Sequence, residues 1–201
     1  MKFRVLTGSI VIMVVFGALV GCGTHKSHPQ RSEIATSGAV ASSTLETTRI
    51  NVAPRLSMEI SSSARTSRTT SYNDGRKVIS FDVENDESPY TVIVEYYEHG
   101  EKGATEVIGV EKQALSADGA KFEEEEFSVK NGQNSRRLDW EQEAVVPWSS
   151  EESPSSIPLK CSAVFFDGAD GHSYAVYVSG DAKNSKSLDR VRSVLESIVV
   201  D

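Results

Sequence analysis

Two cysteines, four histidines and a shortage of basic side chains set the first limits on this chain of 201 residues. Two thiols permit at most one disulfide, so a small disulfide-stapled scaffold is excluded. Lys and Arg number 21 against 29 Asp and Glu, a net charge of −8. A chain so short of positive charge lacks the basic stripe that nucleic-acid phosphates require. Compact catalytic signatures are missing too: there is no Gly-x-Ser-x-Gly, phosphate loop, dinucleotide fingerprint or His-Glu-x-x-His. What is present is 38% hydrophobic and 25% charged residues. That balance supports a packed core and argues against wholesale disorder.

The first residues carry the most specific pattern. Lys2 and Arg4 give a short positive region, and Val5 to Gly21 is an uncharged, mostly apolar run of 17 residues. Roughly 20 residues are needed to cross the hydrocarbon of a bilayer, so this run fits a secretory signal better than a span. It ends in Leu19-Val20-Gly21-Cys22. That tetrapeptide resembles a bacterial lipobox. The resemblance implies diacylglyceryl transfer to the Cys22 thiol, cleavage after Gly21 and a mature chain that begins at an acylated (palmitate-bearing) Cys22. Two long acyl chains hold a protein at a membrane far more firmly than one. In a diderm cell, Gly23 rather than Asp after the cysteine favours outer-membrane sorting. The alternative is an uncleaved N-terminal anchor in which Cys22 is incidental.

Residues 1–21 therefore read as a lipoprotein signal peptide and 22–49 as a lipid-anchored tether. From Gly23 to Arg49 there is no aromatic residue, and ten of the 27 residues are Ser or Thr. Such a tether has an r.m.s. span of roughly 30 Å. His25 and His28 lie in it without Cys or carboxylate partners at metal spacing and read as solvated.

Residues 50–201 read as a single domain. Ile50, Val52, Leu56, Met58 and Ile60 share one parity, an extended segment with Pro54 marking an edge or a break. Ser61 to Gly75 reads as a polar loop. Ile79, Phe81 and Val83 alternate with polar residues, and Tyr90 to Tyr97 is a β-branched and aromatic strand. Val107, Ile108, Val110, Glu111, Ala114 and Leu115 follow helical spacing, with a stop at Asp118-Gly119. Asn131-Gly132 is a hairpin turn between Phe122–Lys130 and Gln133–Ala144. Ile157, Leu159, Cys161, Ala163 and Phe165 alternate again, and Tyr174 to Ser179 follows a turn. Leu188, Val191, Leu195 and Ile198 fit a closing helix with Ser187 as N-cap and Asp189 complementing its dipole. These elements predict an α+β domain, an antiparallel sheet packing its apolar face on two helices.

Several segments in this order are similar to PsbP-like domains. They are Leu115–Ala120 (L-x-x-x-G-A), Asn131–Gln133, the strand pair ending in Tyr174-Ala175-Val176-Tyr177, and the closing Val194–Ile198 (V-L-E-S-I). The family includes lipid-anchored bacterial members with such a tether. It also includes photosystem extrinsic subunits and small GTPase-binding proteins, and it shares no catalytic residues. The resemblance therefore implies a fold and assigns no site.

Several individual residues are candidates for chemistry. Cys161, once Cys22 is acylated, has no partner in the chain, and its parity predicts a buried thiol acting as a small hydrophobe; a reactive thiol is the alternative. Asp167-Gly-Ala-Asp170-Gly171 superficially resembles a calcium loop but has Ala169 where a ligand belongs and no bidentate Glu at the required spacing. A hairpin connection explains it. Glu123 to Glu126 reads as a charged edge strand, with a basic partner as the functional alternative. Trp140 shares parity with Leu138 and reads as core. Trp148, in an acidic Pro-containing loop, is the candidate for an exposed partner contact. His99 and His172 fall in loop or turn positions, where only tertiary coincidence could make a catalytic pair.

Charge is polarised along the chain. Residues 23–77 carry eight basic and four acidic groups, whereas residues 78–201 carry eleven basic and twenty-five acidic ones. Lys26, Arg31, Arg49, Arg55, Arg65 and Arg68 could face anionic head groups; alternatively the two regions pair within the fold. Loss of Lys2 and Arg4 with the signal peptide makes the mature charge −10. The expectation is a non-enzymatic envelope lipoprotein without cofactor or metal. It is anchored to the cell membrane through Cys22 on the extracytoplasmic face and binds an envelope protein or lipid component. The second reading is a carrier or sensor of a small hydrophobic ligand in envelope assembly, and a hydrolase is a weaker third.

Overall fold

The computed structural model describes residues 46–84, 87–146, 148 and 156–201. Residues 1–45, with the expected signal peptide, the expected lipobox residues Leu19, Val20, Gly21 and Cys22 and most of the expected tether, lie outside the described residues. Leu45–Asp201 forms one compact unit, and no helix among the described residues is long and apolar enough to cross a membrane.

The element order is β1 (Thr47–Ala53), β2 (Leu56–Ser61), β3 (Arg65–Thr66), β4 (Thr70–Ser71), β5 (Lys77–Val83), β6 (Tyr90–Tyr97) and α1 (Ala104–Ala117). It continues with β7 (Phe122–Glu126), β8 (Gln133–Ala144), β9 (Ile157–Asp167), β10 (Ser173–Asp181), α2 (Ser185–Glu196) and β11 (Val199–Val200). The fold is α+β, with antiparallel sheets and two helices. The large sheet runs β3-β5-β6-β10-β9-β8-β7, with β4 also on β5; the small one runs β1-β2-β11. Because β1 opens at Thr47, residues 47–49 are strand rather than the end of a tether.

The single early segment is a hairpin. Ala53 pairs with Leu56 across Pro54-Arg55, and Arg55 takes a left-handed φ of 56°. The C-terminus locks this turn, since Arg55 Nε donates to the Asp201 carbonyl and Asp201 N–H to the Arg55 carbonyl, both at 2.8 Å. Two fully buried tyrosines tie the small sheet to the large one. The Tyr90 hydroxyl accepts from Ser61 N–H at 2.9 Å, and the Tyr174 hydroxyl donates to the Pro54 carbonyl at 2.8 Å. Within the polar stretch 61–75, β3 and β4 pair with the edge of β5, so it is not loop throughout.

The large sheet has a core on each face, which corrects the expected single apolar face. Even positions of β9 and β10 (Val164, Phe166, Tyr174, Val176, Val178) pack with Val191, Val194 and Leu195 of α2 and with the small sheet. Odd positions (Leu159, Cys161, Ala163, Phe165, Ala175) pack with Ala104, Val107, Ile108 and Leu115 of α1. The helices thus lie on opposite faces. Strands buried on both sides lose the clean alternation that would reveal this from sequence. Val110, expected on the helix's apolar side, is 55% exposed.

Local chemistry sets the helix ends. Gly103 at the N-cap of α1 offers no side chain; instead Asp167, at the end of β9, accepts from Ala104 N–H at 2.8 Å. At the other end, Ala120 N–H reaches the Leu115 carbonyl and Gly119 N–H the Ser116 carbonyl, with Gly119 at φ 72°. This is a Schellman motif, and it explains the L-x-x-x-G-A segment. For α2 the N-cap is Asn184, whose side chain accepts from Lys186 and Ser187 N–H; it is not Ser187. Ser187 is fully buried where α2 crosses Gly180, a glycine whose added Cβ would meet Val191 at 3.1 Å and Ser187 at 3.2 Å. Asp189 lies beyond the first turn, which contains no acidic residue. The Asn131-Gly132 turn also differs from a tight hairpin: continuous pairing of β7 and β8 starts only at Glu126–Arg136, and Lys130 bridges to Val199 instead.

Candidate functional site

Two places bring polar groups together. The first is a cleft on the α2 face. Helix α2 covers β10, β6 and β9 and leaves β8 beside them uncovered, so the sheet's polar residues there meet the helix flank. Arg137, Asp139 and Glu141 of β8 and Lys160 and Ser162 of β9 form the floor of a cleft of about 320 Å³. Leu188, Arg192, Leu195 and Glu196, a stripe at helical spacing, form its wall, with Phe127 and Ala182 also lining it. Register sets the order along the floor: Asp139 opposes Ser162, and Glu141 opposes Lys160. The Arg137 end is internally satisfied. Arg137 Nε donates to Asp139 Oδ2 at 2.7 Å, Arg137 also pairs with Glu125 at 3.1 Å, and the buried Ser162 hydroxyl donates to Asp139 Oδ1. With its hydroxyl committed to a carboxylate already neutralised by Arg137, Ser162 has no base to activate it as a nucleophile.

The second place is a buried ionisable cluster on the α1 face. Arg76 Nη1 donates to Glu95 Oε1 at 3.1 Å, with both side chains largely buried. Burial pushes the Glu95 carboxyl above its ordinary range; the Arg76 guanidinium opposes that rise without cancelling it. Glu111 lies on the core-facing stripe of α1, accepts from the Tyr177 hydroxyl at 3.3 Å, and is likewise raised by burial. Burial drives Tyr97 up to about 12 and Tyr177 well above the usual phenol value. Arg76 also stands over the Tyr72 ring at 4.4 Å, and Lys102 over Tyr97 at 5.3 Å. Two signals for this cluster were visible in the sequence: a single Glu inside the apolar run YTVIVEYY, and Glu111 in the helix's apolar register.

The other candidates resolve into structure. Cys161 is 3% exposed, and burial raises its thiol to about 12, so it is a core residue with little thiolate. Trp140 is buried on the α1 face. Trp148 is half-buried rather than exposed and packs against the same cluster; its indole N–H is buried with no acceptor among the described residues. The oxygens of Asp167 are taken by Ala104 N–H, the Ser173 hydroxyl at 2.6 Å and Asn134 at 2.9 Å, while Asp170 accepts from His172. The segment is a turn that caps α1. No metal-ligand cluster occurs among the described residues. His99 and His172 both contact Asp170, the first through its carbonyl and the second through its carboxylate. Glu123–Glu126 forms β7 at the sheet edge, with Glu124, Glu125 and Glu126 paired to Lys112, Arg137 and Arg136. The polarised charge is largely paired inside the domain: Arg49 with Glu59, Arg55 with Asp170, Arg65 with Glu84, and Lys77 with Glu98.

No family model, curated protein or solved structure matches the chain.

Proposed function

We propose that this chain is a lipid-anchored, extracytoplasmic envelope protein whose PsbP-like α+β domain acts by binding an envelope component and not by catalysis. The observation that carries the reading is Leu19-Val20-Gly21-Cys22 at the end of an uncharged run of 17 residues behind Lys2 and Arg4. Fatty acylation of Cys22 and removal of residues 1–21 follow from it, and the tether then holds the domain off the head groups. The PsbP-like assignment is supported by the element order around the L-x-x-x-G-A and V-L-E-S-I segments. Binding is favoured over hydrolysis because the polar groups of the α2 cleft are arranged as ion pairs and carboxylate-bound hydroxyls rather than as a nucleophile beside a base. A carrier of a purely hydrophobic ligand needs an apolar cavity, and the charged floor of this cleft gives that reading no support.

Blocking signal peptidase II in cells that express the full chain tests the proposal. The expected result is accumulation of a precursor that retains residues 1–21, and in untreated cells an N-terminal peptide starting at diacylated Cys22. An unchanged chain in both conditions, by mass spectrometry, overturns it.

A further inference from the structure

Lys160 is an outlier among the cations of the sheet. The described strands carry six Lys or Arg residues, and Arg49, Arg65, Lys77, Arg136 and Arg137 each hold an ion pair with a carboxylate. Lys160, half-buried on the cleft floor, has no hydrogen-bond or ion-pair partner for its ammonium among the described residues. Glu141 directly opposes it in register and is also without a partner there, so two opposite charges stand side by side without bonding each other. Ala182 N–H donates to the Pro158 carbonyl at 2.9 Å, which places this end of the floor at the start of α2, where Leu188 provides an apolar wall. Arg192 follows one turn later on the same stripe, and among the described residues its ion pair is an exposed contact with Asp189 at 3.7 Å.

We infer that the cleft between α2 and strands β8 and β9 binds a small zwitterion. Its anionic group is received by Lys160 and Arg192, its ammonium by Glu141, and its short apolar body lies against Leu188. Charge balance selects this class over a simple anion or cation. Lys160 and Arg192 would attract a lone anion, but Glu141 and Glu196 line the same cleft and would repel it, while Arg137 and Asp139 offset each other. Size selects a small molecule, because about 320 Å³ lies at the lower end of the roughly 300–1,000 Å³ of ligand pockets. The same pairing of anion and ammonium occurs in a dipeptide and in an ethanolamine phospholipid head group. The site lies in the folded domain and does not depend on acylation of Cys22.

Calorimetry and thermal shift on the full chain in detergent test the inference. The probes are the dipeptide Gly-Leu, its N-acetylated and C-amidated forms, free phosphoethanolamine, and vesicles of phosphatidylethanolamine against phosphatidylglycerol. Saturable binding of Gly-Leu or phosphoethanolamine is expected, with loss of about tenfold or more in affinity when either charge of the dipeptide is blocked. Lys160→Met and Glu141→Gln should each weaken binding by a similar factor, whereas Lys112→Gln on the opposite face should not. Arg192→Gln, at an exposed helix position, provides a variant that does not threaten folding. Binding confined to phosphatidylethanolamine vesicles assigns the same chemistry to a lipid head group. Absence of saturable binding with every probe, or affinities unchanged in Lys160→Met, Glu141→Gln and Arg192→Gln, overturns the inference whether or not Cys22 is acylated.

Discussion

The two faces of the large sheet bury similar side chains but stabilise them differently. On the α2 face the core is dry and aromatic, with Phe166 stacked on Tyr174 at 5.2 Å between centroids, and the small sheet closes over one end. On the α1 face the core ends in titratable groups: Arg76, Glu95, Glu111 and Tyr177. The first core draws its stability from apolar packing, with the Arg137–Asp139 pair set beside it in the cleft. The second includes charges removed from water, whose cost depends on their partners and on protonation. The contrast shows where this domain tolerates polar chemistry: under α1 as a buried cluster of paired groups, and beside α2 as an open cleft.

The largest test of the contrast is Phe166→Ala, which removes a fully buried ring and should cost about 3–5 kcal/mol in a urea titration, at neutral and at acidic pH alike. Arg76→Met should cost about 3 kcal/mol near neutral pH by leaving Glu95 buried and unpaired. That loss should shrink on acidification as Glu95 takes up a proton, and the double variant Arg76→Met with Glu95→Leu should recover most of it. Equal responses of Phe166→Ala and Arg76→Met to pH would break the contrast. At the start of α2, Asn184→Ala should cost about 1 kcal/mol as a lost cap. Ser187→Ala should be neutral or slightly stabilising, because the Ser187 hydroxyl is buried without a partner among the described residues. A comparably small effect is expected for Glu111→Gln. The Glu111 carboxyl is raised when folded, so its protonated form favours folding below the unfolded value of about 4.5, and that contribution is lost as pH rises through the folded pKa. Glu111→Gln should therefore raise stability near neutral pH and lose that advantage below about pH 4.5, read as the pH dependence of the melting temperature.

Much of the strand pattern was legible because period-2 alternation follows from side chains pointing to opposite faces. Tyr90–Tyr97 and the Ile157–Phe165 alternation both match strands, and the buried state of Cys161 follows from its parity with Leu159 and Ala163. The end of α1 was equally legible, because Gly119 can adopt positive φ without steric cost. The cap at the start of α1 was not. Asp167 reaches Ala104 from 63 positions away, and no local pattern encodes a cap supplied by another strand. The exposed indole expected at Trp148 also failed, because the polar neighbours of Trp148 in sequence give no sign that its ring packs against the α1-face core.

By itself the sequence determined the local matters: the uncharged apolar run ending at Cys22, most strands and helices, the turn residues, and an acidic charge balance. Those properties depend on neighbours a few positions apart. Only the tertiary structure decided that α1 and α2 cover opposite faces, that the first segment doubles back to make a second sheet with Val199–Val200, and that Lys160 faces a cleft without an ion-pair partner among the described residues. Each of these depends on which distant surfaces meet. A strand buried on both sides shows the same apolar run whichever helix covers it, so the choice is made by packing and not by pattern.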